Sequence, residues 1–153
     1  MLVGAYKGHV TGNCFDDVGE NISEKNKNYC ELTGLYWLWK HSSDSYIGIV
    51  HYRRYFTHDF NGRVALRGDE INRLLTKYDI ILPFHRTYDK SIEEDYCEIS
   101  GFKKDLDRVR FIIEQNCPEY LDDFDEIMSG HKAFLYNMFI TNKNADCKMK
   151  LDI

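Results

Sequence analysis

Tyr46-Ile47-Gly48-Ile49-Val50-His51-Tyr52-Arg53-Arg54-Tyr55-Phe56 is the stretch on which the reading of this chain turns. Its first five residues have the β-branched, apolar composition of a buried strand. The next six place a histidine and two adjacent arginines at that strand's exit. Ligands of α/β sheets bind beyond the carboxyl ends of the strands. A guanidinium fork matches phosphate oxygens and stays charged at any working pH. Arg53 and Arg54 therefore read as a candidate phosphate site, against the plainer alternative of a solvated corner where arginines stack on aromatics. His51 is a candidate phosphate donor, general base or metal ligand, or simply a hydrogen-bonded strand-end histidine.

On the N-terminal side, residues 2–6 read as a short strand. Residues 8–28 read as a polar loop, of a length compact domains seldom keep without function. Tyr29, Leu32, Leu35, Tyr36 and Trp39 recur at helical spacing over residues 29–40, with Asn26 or Asn28 as the cap. On the C-terminal side, Asp69 caps a helix to residue 77, and residues 79–83 form a second buried strand stopped by Pro83. Ser91 and Glu94 make a capping box that opens a helix towards Ile99. A longer helix spans residues 103–116, with Leu106, Val109, Ile112 and Ile113 turned inward. Pro118 fits the first turn of a further helix to residue 128, and residues 133–141 read as the last strand. Alternating strands and helices predict an α/β sandwich. With two prolines, no repeat and no low-complexity stretch, residues 1–153 read as one domain.

The composition excludes several functions. A net charge of −5 argues against a general nucleic-acid binder, which needs a basic field. A local Arg53-Arg54 site in an acidic chain suits a small anion better than a polymer. For the same reason the basic, aromatic 51–56 segment is disfavoured as a single-strand-binding patch. Hydrophobic residues make up 43% and charged residues 29%, ordinary for a soluble globular protein. Eleven tyrosines and nine phenylalanines would suit a sugar-binding cleft, although most belong in an aromatic core. The five cysteines, Cys14, Cys30, Cys97, Cys117 and Cys147, are scattered and lack zinc-ligand spacing. They read as reduced thiols of a cytoplasmic protein. No signal peptide or bilayer-spanning run is visible.

Other residues carry candidate chemistry. Asp16 and Asp17, adjacent carboxylates on a loop with Gly19 and Asn21, can hold a hard cation such as Mg²⁺ or Mn²⁺, or can be turn-forming aspartates in water. Glu31 sits where the helix dipole alone favours an acid. Trp37 lies off the apolar stripe of its helix and either packs on a neighbour or stacks on a ligand. Asn137 reads as a buried amide in an apolar strand, a structural bridge or a ligand contact. His131 approaches the same strand. The nucleophile elbow, Walker loop, dinucleotide fingerprint and zinc-protease signatures are all missing from the sequence.

Taken in order, residues 16–26, the 29–40 segment Tyr-Cys-Glu-Leu-Thr-Gly-Leu-Tyr-Trp-Leu-Trp-Lys, the 51–56 segment and Asn137-Met138-Phe139-Ile140 resemble the glycosyltransferase-like family of capsular and exopolysaccharide biosynthesis proteins, long catalogued as a domain of unknown function. The resemblance covers nearly the whole chain. It implies a GT-A-like α/β fold and transfer of a sugar from a nucleotide-diphosphate donor, a UDP-sugar foremost, to a lipid-linked saccharide. It implies that His51, Arg53, Arg54 and Asn21 surround the donor diphosphate, with Asp16 and Asp17 as candidate metal ligands. Asn137 and Trp37 would lie on the acceptor side. Fixed cations would stabilise charge developing on the leaving diphosphate. A cytoplasmic protein, peripherally attached at the inner face of the membrane, is the expected setting.

No DxD follows the 46–50 strand, where GT-A enzymes usually keep one, and His51-Tyr52-Arg53-Arg54 stands there instead. The chain departs from the family in three places. A further opening strand is expected before residue 2. Ser100-Gly101 replaces a histidine, and residues 146–153 are a weakened form of an aromatic, apolar ending in which Lys148 and Lys150 would have to snorkel. The sequence thus reads as a transferase domain shortened at both ends, with a non-catalytic saccharide-binding or assembly protein as the alternative.

Overall fold

The structure, a computed structural model, describes residues 14–51, 54–58, 64–99 and 101–143. The expected 2–6 strand, Tyr52, Arg53, Ser100 and the 146–153 segment lie outside the described residues. The chain divides into two compact units, one running to Leu82 and resuming at Asn137, the other Pro83–Tyr136.

Among the described residues the first unit has three strands in one sheet, β1 (Tyr46–Ile49), β2 (Ile80–Ile81) and β5 (Phe139–Asn142), in the order β1-β5-β2. The last strand in sequence is central and runs antiparallel to both neighbours, with Ile49 opposite Phe139 and Ile81 opposite Ile140. The carboxyl ends of β1 and β2 therefore meet the start of β5 at one end of the sheet. Thr141, buried, donates from Oγ1 to the Asp79 carbonyl at 2.8 Å and fixes β5 against the entry to β2. At the far end, the Lys143 amide donates to the Ser45 carbonyl at 2.8 Å, and its ammonium to the Ser42 carbonyl. The apolar core of this unit is Leu35, Ile47, Phe56, Leu75 and Met138.

Two strand readings are corrected. Residues 79–83 are not a buried strand: only Ile80–Ile81 pair, and Ile80 is exposed, because β2 borders the described sheet. Residues 133–141 are not one strand. Lys132–Ala133 forms β4 and Phe139–Asn142 forms β5, with Tyr136 at φ 81 and Asn137 at φ 48 between them. Left-handed residues cannot continue a pleated ladder, and asparagine tolerates that conformation better than most.

Residues 23–25 form a 3₁₀ turn that runs into α1 (Asn26–Tyr29), and α2 (Leu32–His41) follows after a break. Helix therefore occupies the end of the expected loop. The break lies at Cys30, whose φ of 49 and ψ of −125 no helix can accept. Neither Asn26 nor Asn28 caps α2; the Asn26 amide instead donates to the Cys30 carbonyl at 2.7 Å, bracing the break. Helix α3 (Gly68–Leu75) begins one residue ahead of Asp69, with Arg67 as the capping position and its N–H bound by the Glu70 carboxylate at 2.9 Å.

In the second unit, β3 (Arg86–Thr87) pairs antiparallel with β4. Helix α4 (Ile92–Ile99) opens on the expected box: the Glu94 carboxylate accepts from the Ser91 amide at 3.0 Å and the Ser91 hydroxyl at 2.9 Å. Helix α5 (Lys103–Asn116) joins α6 (Leu121–Ser129) through a 3₁₀ turn started by Pro118. Arg110 forks onto Asp125 with bonds of 2.8 and 2.7 Å, clasping α5 to α6. Val109 and Ile112 were expected inward and are exposed. Helical periodicity gives a stripe its width but not a partner, and among the described residues of this unit no side chain is fully buried. No helix among the described residues is long and apolar enough to cross a membrane.

Candidate functional site

The 16–21 loop lies lengthwise along α2. Asp16, fully buried, accepts from the Thr33 hydroxyl at 2.7 Å and from the Ser23 hydroxyl at 2.8 Å. The Val18 carbonyl accepts from the Trp37 indole N–H at 2.7 Å, and the Glu20 carbonyl lies 2.7 Å from His41 Nε2. Loop positions 16, 18 and 20 thus meet helix positions 33, 37 and 41. Residues 16–20 are turned and bent rather than extended, so the register is held by these hydrogen bonds themselves. Gly19 makes the fit possible: its φ is 72, and a Cβ there would stand 2.7 Å from His41 Cε1.

Charge completes the seam. Tyr36 and Lys40 both donate to Glu20 Oε1 at 2.8 Å. The Lys40 and Tyr36 hydrogen bonds hold the Glu20 carboxyl below its ordinary value of 4.5. The Glu20 bond in turn raises Lys40 above 10.5 and Tyr36 above 10.0. A lowered acid stabilises the fold above its ordinary titration range and loses that contribution as pH falls through the folded value; raised groups lose theirs as pH rises through their own. The seam should therefore be firmest between pH 5 and 10, roughly. Glu20→Gln should flatten the acidic loss of thermal stability. An unchanged acid limb in that variant would remove the seam from the pH response.

These contacts decide what the loop's candidate residues do. Both carboxylate oxygens of Asp16 accept from hydroxyls in a closed interior, which does not fit a hard-cation ligand. Among the described residues no group of three or more histidine, cysteine, aspartate or glutamate side chains is placed to hold a metal ion. Asn21 uses its amide on the loop itself, donating to the carbonyls of Gly19 at 2.7 Å and Asp17 at 3.1 Å and accepting from the Ser23 N–H at 3.1 Å. Trp37 is held by Val18 and lies with its ring centroid 4.9 Å from that of His41.

A second cluster lies at the carboxyl ends of β1 and β2. His51, half-buried, stands two residues past the end of β1, and its carbonyl accepts from the Arg54 N–H at 2.9 Å to close a turn. Arg54 and Tyr55 are exposed, whereas Phe56 turns into the core. Arg53 lies outside the described residues. Asn137 stands two residues before β5 at the same sheet end. It is exposed, not the buried amide the sequence suggested, and its Nδ2 donates to Glu31 Oε1 at 3.2 Å. Glu31 in turn is fixed by the break at Cys30, whose carbonyl accepts from Asn26 and from the Thr33 hydroxyl at 3.1 Å. Non-glycine residues in such conformations cost about 1–3 kcal/mol and persist where surroundings enforce them. Helix-dipole reasoning set Glu31 aside. The signal that marks it is the pairing with a left-handed asparagine far away in sequence, which sequence spacing does not contain. His131 belongs to the second unit, where its Nδ1 lies 3.2 Å from the Tyr88 carbonyl.

A family model described as a domain of unknown function, DUF4422, matches residues 1–148. The fold matches the apo structure of WbbM, a bifunctional glycosyltransferase, with a TM-score of 0.74 and 29% identity. The match covers 92% of this chain and 30% of that one, so the chain spans less than a third of WbbM's length. No curated protein matches the sequence. The architecture expected from the sequence is thus met at the level of a glycosyltransferase-like α/β fold.

Proposed function

We infer, for a chain that belongs to the DUF4422 family, that it transfers a sugar from a nucleotide-diphosphate donor to a saccharide acceptor. The observation that carries this reading is the fold shared with a stretch of a bifunctional glycosyltransferase. The arginine pair beyond β1 supports it chemically, because α/β sheets take ligands at the carboxyl ends of their strands. In this reading Arg53 and Arg54 stabilise the charge that develops on the departing diphosphate, with His51 as a further donor. Asp16, Asn21 and Trp37 act at one remove, shaping the 16–21 loop and α2. The donor is a UDP-sugar, and the acceptor a growing lipid-linked saccharide of a capsular or exopolysaccharide, reached at the inner face of the membrane.

The test is thermal unfolding with UDP, and with GDP and ADP as comparators. At a hundredfold excess over Kd, a ligand specific to the native state adds about 2.7 kcal/mol. For a chain of this size that is a Tm rise of about 5–10 °C. The Arg53→Ala/Arg54→Ala double variant should lose most of the rise while keeping the ligand-free Tm. If no nucleoside diphosphate shifts the wild-type Tm, with or without Mn²⁺, the transferase reading is wrong. If the double variant responds like wild type, the diphosphate lies elsewhere.

A further inference from the structure

We propose that the cavity between α4, α5 and α6 is a saccharide site, and that it holds a neutral sugar unit of the acceptor. That the ligand is a saccharide rests on the transferase reading above; the cavity stands on its own lining. It has a volume of about 440 Å³ and lies wholly within Pro83–Tyr136. Small-molecule sites run from about 300 to 1,000 Å³ and combine apolar walls with a few converging polar groups. The apolar walls here are Leu106, Phe124 and Met128, each half-buried. The polar lining is organised in pairs. Arg110 forks onto both oxygens of Asp125, and Lys103 Nζ bridges Asp107 at 2.6 Å and Glu93 at 3.1 Å. The Arg110 bond holds the Asp125 carboxyl below its ordinary value, and the Asp107 and Glu93 bonds raise Lys103 above its own. Both pairs therefore stay charged at neutral pH.

The pairing decides which ligand fits. Bare charges of one sign would call for a counter-ion. Here Glu93, Asp107 and Asp125 each face a cation already, so the lining offers charge-assisted hydrogen bonds in both directions beside an apolar surface. A carboxylate oxygen that accepts one bond keeps a second lone pair for another. A pyranose matches this set. Its hydroxyls donate to the carboxylates and accept from the ammonium and the guanidinium, while its C–H face lies against Phe124 and Met128. Net charge then selects among sugars. Four carboxylates, those of Glu93, Glu94, Asp107 and Asp125, line the cavity with only Lys103 and Arg110 as cations, a net charge of −2. A uronate brings a further negative charge into that field and is repelled, whereas a neutral sugar is not.

The experiment titrates the isotope-labelled full chain and follows its backbone amides by NMR. The probes are methyl β-glucoside with methyl β-glucuronide, and methyl α-galactoside with methyl α-galacturonide, each pair differing only at C6. The better-bound neutral glycoside should move the amides around Leu106, Phe124 and Met128 with a Kd of about 1–10 mM, ordinary for so small a ligand. Its uronide should bind about tenfold more weakly. Phe124→Leu, which keeps apolar volume but removes the ring, should weaken neutral binding about fivefold. Asp107→Asn, on an exposed stretch of α5, should keep the fold and narrow the preference over the uronide to about threefold. A cavity with no ligand would not tie that preference to one carboxylate. The site is overturned if neither neutral glycoside moves these amides at about 100 mM. It is equally overturned if the uronides bind as tightly as their neutral partners, or if Phe124→Leu binds like wild type. Thermal unfolding with UDP on the same samples separates this site from the reading it rests on. A UDP shift without glycoside binding overturns the site alone. Glycoside binding with no shift from any nucleoside diphosphate overturns the transferase reading and the acceptor role, and leaves a sugar-binding cavity.

Discussion

Asp16→Ala is expected to lower the stability of the fold by about 3 kcal/mol, read as a lower urea midpoint and a fall in Tm. The substitution removes a buried carboxylate that accepts two short hydrogen bonds and leaves its hydroxyl partners in a closed interior. Hydrogen bonds to a charged group contribute about 1.5–3 kcal/mol each, and a stranded buried donor costs about 1–3. The loss is not the full sum, because the Thr33 hydroxyl also reaches the Cys30 carbonyl at 3.1 Å and can fall back on it. Asp16→Asn should cost less, since an amide oxygen can still serve one hydroxyl. Thr33→Val, which removes one bond and retains the volume, should cost about 1–2 kcal/mol. If Asp16→Ala and Thr33→Val prove additive in the double variant, the two residues do not act through their shared bond. Urea midpoints of all four proteins settle this, and an Asp16→Ala protein as stable as wild type would end the idea of a clamp.

Gly19→Ala is expected to cost about 2 kcal/mol, half from the backbone and half from the neighbour. At φ 72 an L-residue is strained whatever space surrounds it. The new methyl would also stand 2.7 Å from His41 Cε1. The imidazole can swing away only by giving up its contact with the Glu20 carbonyl and its place beside Trp37. A His41→Ala background separates the parts: there the steric share vanishes and about 1 kcal/mol of backbone cost should remain. An undiminished penalty in that background would show that His41 is not what the methyl meets.

Local signals in this sequence were legible, and long-range ones were not. The Ser91–Glu94 box, the Pro118 turn and the span of α5 all depend on residues within one or two helical turns, and the structure has them as read. The strand leading into His51 was equally plain from its β-branched composition, but it ends at Ile49, only Ile47 of it is buried, and Val50 is exposed rather than part of a buried strand. The 16–21 loop was a different matter. Polar residues around one glycine describe a solvated loop equally well, and only folding brings Asp16 onto Thr33, seventeen positions away. Asn137 misled for a physical reason: its neighbours are apolar enough for a strand, yet its own left-handed backbone ends the strand and turns the amide outward to Glu31. Val109 and Ile112 carried the spacing of a buried face without anything in the sequence to state what would bury it.

The position of β5 has a consequence for how the chain is made. Among the described strands of the first unit, the central one is the last to be synthesised, and all of Pro83–Tyr136 precedes it out of the ribosome. Until Asn142 emerges, β1 and β2 have no partner between them, and their inward edges remain open for pairing. The first unit therefore cannot close vectorially. It must wait, half built, while the second passes through, and long-range closure of this kind slows folding and prolongs exposure to chaperones and to other nascent chains.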